Sequence, residues 1–173
     1  QVLETDGSGA LSWATPASAG ASAIDDLSDA LIEGTASMYI GNDPSSTTDN
    51  ANFNMAVGIS ALGAITEGDN NTAVGSVALP VNTTGGSNTA LGSAALYSNT
   101  TGQYNTANGA QSMWLNTTGD NNTALGREAL YTTRTAHYNT AIGYTALRDA
   151  NRTADTDGYN TALGYNAGNT GTN

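Results

Sequence analysis

Asn71-Thr72-Ala73-Val74-Gly75 returns seventeen residues on as Asn88-Thr89-Ala90-Leu91-Gly92, and its variants open again at Asn105, Asn122 and Asn139. A further copy opens at Asn160, displaced by a four-residue insertion. Stepping back by the same interval from Asn71 reaches Asn54, opening Asn-Met-Ala-Val-Gly, and then Ser37, opening Ser-Met-Tyr-Ile-Gly. Eight registers therefore run from Ser37 to Asn173, the last cut short. A fixed period of this length marks units that cannot fold alone and stack on their neighbours.

Reading down the columns gives the expected shape of one unit. Position five is always glycine, from Gly41 to Gly164, which demands either positive φ or close approach of another backbone. Position three is Ala in all repeats but the first, which has Tyr39. Position four is Ile, Val or Leu except at Asn108, and position nine is mostly Leu, with Met113. A turn follows, such as Asn82-Thr83-Thr84-Gly85, in residues suited to tight bends. Each unit reads as a short strand, a glycine corner, a second brief apolar segment and a polar loop. Parallel stacking at about 4.8 Å per turn would line up the position-one Asn residues as an amide ladder. Alternation in Thr-Ala-Leu places positions three and four on opposite faces. The expectation is that positions four and nine form the inner seam, and that the Ala row makes a flat outer face for other subunits. The fold class expected is all-β: a parallel β-roll or β-solenoid of 17-residue repeats over 37–173. Recurrent Gly, Thr and Asn exclude a helical reading of the repeats.

Composition agrees with a thin solenoid. Bulky apolar residues are sparse, Phe occurring once at Phe53, so an ordinary globular core is out of reach. Net charge is −11, Lys is absent, and the four basic residues are Arg127, Arg134, Arg148 and Arg152. Such a chain repels phosphates and anionic membranes, so no nucleic acid is expected as a partner. No run approaches the roughly 20 apolar residues of a membrane span, and no membrane insertion is expected. Cysteine is absent, which removes disulfides and thiolate sites. Gln1 in place of Met reads as an excised fragment.

The first 36 residues form a separate lead-in segment. Val2 to Trp13 reads as strand-turn-strand around Asp6-Gly7. After a small-residue linker, Ile24, Leu27 and Leu31 with Asp25, Asp26 and Asp29 have helical spacing, predicting a short helix from near Ser22.

The repeat Asn-Thr-Ala-Leu-Gly-x-x-Ala resembles the Ser-Val-Ala-Ile-Gly-x-x-Ser/Ala head repeats of trimeric autotransporter adhesins. Its longer form with the Asn-Thr-Thr-Gly loop is similar to arrays in bacteriophage tail fibres, as is the Val2–Trp13 element. The resemblance implies a left-handed parallel β-roll packed as a homotrimer. It also implies location in a virion tail fibre, or alternatively on a bacterial cell surface. The function it implies is structural and host-receptor-binding, without catalysis or cofactor, the partner being a host cell-surface glycan or outer-membrane receptor. The alternatives are an adhesin head that binds host matrix or glycan and, more distantly, a tailspike that degrades polysaccharide.

Candidate site residues follow from the columns. Tyr97, Trp114 and Tyr131 share position ten in consecutive repeats, so stacking would align the rings one strand spacing apart. Flat rings among Asn and Thr suit sugars, whereas edge covering or subunit packing is the preferred reading. Phe53, Tyr104, Tyr138 and Tyr159 recur at position seventeen or its equivalent. The insertion between Arg148 and Tyr159 brings Arg148, Arg152, Asp155 and Asp157 together as a possible contact loop. Its Asp-Thr-Asp-Gly lacks most ligands of a calcium loop, so no metal is expected. His137 is read as a loop residue rather than a catalyst, and Glu67, Asp69, Asp120 and Glu128 as solvated carboxylates rather than a glycosidase pair. Asn108, if internal, would need polar partners.

Overall fold

A computed structural model describes residues 51–149 and 158–169 in full, and four further strands at 2–5, 11–14, 30–33 and 37–41 by their backbone. In the lead-in segment β1 (Val2–Thr5) pairs antiparallel with β2 (Leu11–Ala14), Val2 facing Ala14 and Thr5 facing Leu11. The two strands of the strand-turn-strand expectation are present and paired, and the turn between them lies outside the described residues. β3 (Ala30–Glu33) is a strand, so Leu31 does not belong to the short helix predicted for it. Backbone pairing with β4 overrides the helical spacing there, and the rest of that predicted helix lies outside the described residues.

From β4 (Ser37–Gly41) the chain winds into a β-solenoid. Its strands are β5 (Met55–Gly58), β6 (Thr72–Val74), β7 (Thr89–Leu91), β8 (Thr106–Asn108), β9 (Thr123–Leu125), β10 (Thr140–Ile142) and β11 (Thr161–Leu163). Each pairs parallel with the next, repeat position on repeat position, and β3 closes the β4 edge in the antiparallel sense. The four-residue insertion leaves this register intact, since Thr140, Ala141 and Ile142 face Thr161, Ala162 and Leu163. Only one side of the roll is a sheet. The other is a stack of turns, still joined from turn to turn by bonds such as Leu79 N–H to Ala95 O and Thr83 N–H to Thr100 O.

The inside and outside of the strand are reversed from the sequence expectation. Position three points inward: Ala73, Ala90, Ala107, Ala124 and Ala141 are wholly buried. Position four points outward, from half-buried Val74 and Leu91 to exposed Asn108, Ile142 and Leu163. The reason is volume. The stack of turns already fills the interior with Leu62, Leu79, Leu96, Met113, Leu130 and Leu147 at position nine and small residues at position eight. Opposite that row a close-packed interior takes only a methyl. Position nine is therefore internal as expected, and the Ala row is core rather than docking face.

The corner glycines answer to both demands named for them. Gly92 sits at φ 135°, and a Cβ there would lie 2.7 Å from the carbonyl carbon of Gly109 in the next turn. Two amide ladders run through the interior. Asn88 accepts at Oδ1 from the backbone N–H of Asn105 (3.0 Å) and from its Nδ2 (3.2 Å), while its own Nδ2 donates to Gly102 O at 2.8 Å. The same pattern links Asn71, Asn105, Asn122 and Asn139. A second ladder at position twelve joins Asn82, Asn99 and Asn116, each Nδ2 also reaching the glycine carbonyl three residues on.

Candidate functional site

Outward-pointing residues fall into columns because every turn repeats in register. The residue before each unit and its positions two, four and six share the outer face of the sheet by strand alternation. Position ten lies beyond the corners at positions seven and nine. A functional side chain on this molecule therefore belongs to a column before it belongs to a pocket.

At position ten Tyr97 stacks on Trp114 with centroids 4.3 Å apart and planes within 5°. Trp114 continues onto Tyr131 at 6.0 Å and 12°. The expected ring ladder is thus present. Arg148 occupies the next rung, its guanidinium carbon 5.3 Å from the Tyr131 centroid, so a cation closes the aromatic column. The rings cover one another's faces and are half-buried, which leaves their edges as the accessible part. Of the other predicted contact residues, Arg152, Asp155 and Asp157 lie outside the described residues.

A second column, which the sequence reading did not single out, stands at position six. Arg127 lies 5.8 Å over Tyr144, and Tyr144 stacks on Tyr165 at 5.5 Å and 14°. Its signal was available: the three residues are separated by one repeat and then by one repeat plus the insertion. Glu128 ties the two columns together. Its carboxylate sits 2.8 Å from Arg127 Nη2 and 2.9 Å from Arg148 Nε, while Arg148 Nη1 lies 3.5 Å from Asp149. The Arg148 Nε–H direction misses Glu128, so that contact is an ion pair without a hydrogen bond. Glu128 is buried and paired, not the solvated carboxylate expected. Its two arginines supply what a buried charge requires.

Position sixteen explains the other polar residues. Asp69 Oδ1 accepts from Asn52 N–H and Asp120 Oδ1 from Gln103 N–H, each at 2.7 Å. His137 Nδ1 accepts from Asp120 N–H at 2.9 Å. One column of side chains thus serves the backbone of the preceding turn, and the histidine is part of it. Accepting at Nδ1 puts the imidazole hydrogen on Nε2. Among the described residues no group of three His, Asp or Glu side chains is placed to hold a metal. A cavity of about 500 Å³ at the last described turn is lined by Leu147, Ala162, Leu163, Ala167 and neighbours, with no carboxylate.

Position seventeen also carries exposed rings, Phe53, Tyr104, Tyr138 and Tyr159, with Tyr138 stacked on Tyr159 at 5.1 Å and 10°, and aliphatic side chains are exposed on the sheet face beside them. Leu163 is 75% exposed, and Ile142, Ile59 and Met55 are also open to solvent. At position four the row reads Val57, Val74, Leu91, Asn108, Leu125, Ile142, Leu163. Beside it runs an unbroken row of threonines at position two, Thr72 to Thr161. Among the described residues no helix is long and apolar enough to cross a membrane.

The fold and these columns define a parallel β-solenoid repeat protein. No protein-family model matches the chain, and neither a curated protein nor a solved structure is significantly similar to it.

Proposed function

We propose that this chain is a structural and host-receptor-binding segment of a homotrimeric fibre of the phage tail-fibre kind, without catalysis. The observation that carries the reading is the outer sheet face. It is a strip, apolar at every turn but that of Asn108, and no described segment of the chain covers it. With eight parallel strands at about 4.8 Å spacing and about 20 Å of chain across, the face measures roughly 700 Å², close to the area per partner of a stable association. A second copy has the same rise per turn, so it alone covers every rung with an equivalent rung. Subunits therefore pack through positions two and four rather than through the Ala row, which is core.

The receptor-binding half falls on the edge carrying Tyr97, Trp114, Tyr131 and Arg148, beyond the corners and away from the packed face. Aromatic edges tipped by hydroxyl and indole N–H groups beside an Arg–Glu pair suit a surface glycan or an outer-membrane protein. Labelled protein incubated with candidate host bacteria is expected to bind saturably, and Trp114→Ala to weaken binding about tenfold with an unchanged unfolding midpoint. Binding that Trp114→Ala leaves intact removes this edge from the reading.

A further inference from the structure

At positions two and four, the rows through which the copies would pack, the rungs are nearly alike and carry almost no information about axial alignment. If two copies slide by one turn, Val still meets Leu and Thr still meets Thr, and only the end rungs lose a partner. The position-two row is Thr at six successive turns, Thr72 to Thr161, and contributes nothing to alignment. Position four is aliphatic on both sides of a single exception, Asn108, which is exposed and flanked in the sheet by Leu91 and Leu125.

We infer that Asn108 sets the axial register between copies of this chain; the inference rests on the trimeric reading above. Closed cyclic symmetry about an axis parallel to the solenoid brings every rung against itself. Three Asn108 side chains then meet at one height, where each Nδ2 donates to the Oδ1 of the next subunit and closes a ring of amides. A one-turn slip places an amide against Leu91 or Leu125 of a neighbour and strips it of hydrogen bonds to both water and partner. A single polar residue in an apolar seam plays the same register-setting part in coiled coils. On the outer face no other described position combines central location, a polar side chain and an otherwise aliphatic row.

Asn108→Leu restores the consensus of the row, so folding of the solenoid is not at risk. The chain has no cysteine, and Thr84→Cys, in the exposed loop outside the packed rows, accepts one spin label per subunit, read by pulsed electron resonance alongside the mass by light scattering. With Asn108 present, a trimer of one inter-label distance is expected. In the Asn108→Leu background the trimer is retained and longer distances join the first. The slipped fraction should rise by about tenfold or more, as expected from removing an unpartnered buried amide from the slipped state. A trimer with the same single distance in both backgrounds overturns the role of Asn108 while leaving the trimer standing. A monomeric parent chain overturns both.

Discussion

Each turn of the solenoid bends at residues that ordinarily avoid such bends. Positions seven, nine and seventeen hold positive φ without glycine, from Ser60 at 57° and Leu62 at 50° to Tyr159 at 47°. For an L-residue this conformation costs roughly 1–2 kcal/mol. At position nine the cost is offset by burying a Leu, and at position seven by bonds such as Val77 N–H to Ile59 O at 2.8 Å. Val77 is the hardest case, a β-branched side chain at φ 51° and only half-buried. Val77→Asn should therefore raise stability by about 1 kcal/mol, read as a higher urea midpoint, whereas Val77→Ile should bring no gain. The corner glycines behave oppositely. Gly92→Ala and Gly164→Ala share the penalty of positive φ, but only at Gly92 does the new methyl meet the next turn. Gly92→Ala should be the worse by at least about 2 kcal/mol in the same unfolding experiment. The glycine column was legible from the sequence alone. The left-handed leucines were not, because nothing in a Leu column announces its φ.

At the scale of the turn, stability runs through ladders, and the position-twelve ladder stops short. Asn116 Oδ1 is buried without a partner because the next residue in its column is Thr133, not Asn. The position-fifteen column changes at the same turn, with Ala136 following Gly85, Gly102 and Gly119. A Cβ at those glycines would overlap the Oδ1 of Asn82, Asn99 or Asn116 in its own turn, so Asn at twelve requires Gly at fifteen. Thr133→Asn alone should destabilise the protein. Combined with Ala136→Gly it should gain about 1 kcal/mol by giving Asn116 Oδ1 its donor, a coupling that a double-mutant cycle measures. His137 belongs to this scale too. His137→Ala should cost about 1 kcal/mol by orphaning the Asp120 N–H, and His137→Asn should cost little, since Asp69 and Asp120 accept in the same way. The position-one ladder could be read from spacing because it has no gap in the fully described turns. The position-twelve ladder escaped notice because Ile65 and Thr133 interrupt its column.

For the whole molecule, period and strand phase had different legibility. Seventeen-residue spacing declared the solenoid, its parallel order and the Tyr97–Trp114–Tyr131 column, each a consequence of stacking equivalent positions. Which side of the strand faces inward was misjudged, since Ala and Leu are both apolar and alternation alone does not say which is core. Only the volume left by Leu79, Leu96 and their neighbours decides it. The reversal moves the proposed subunit interface from the Ala row to the aliphatic row, and the fibre reading depends on that move. The most direct test is the mass of the full chain in solution by light scattering, native and as Leu91→Glu/Leu125→Glu. The native protein is predicted at three times the 17.4 kDa of one chain, and the double variant at 17.4 kDa with its sheet signal kept in circular dichroism. A native chain at 17.4 kDa throughout the micromolar range, or a double variant that stays trimeric, would contradict the account.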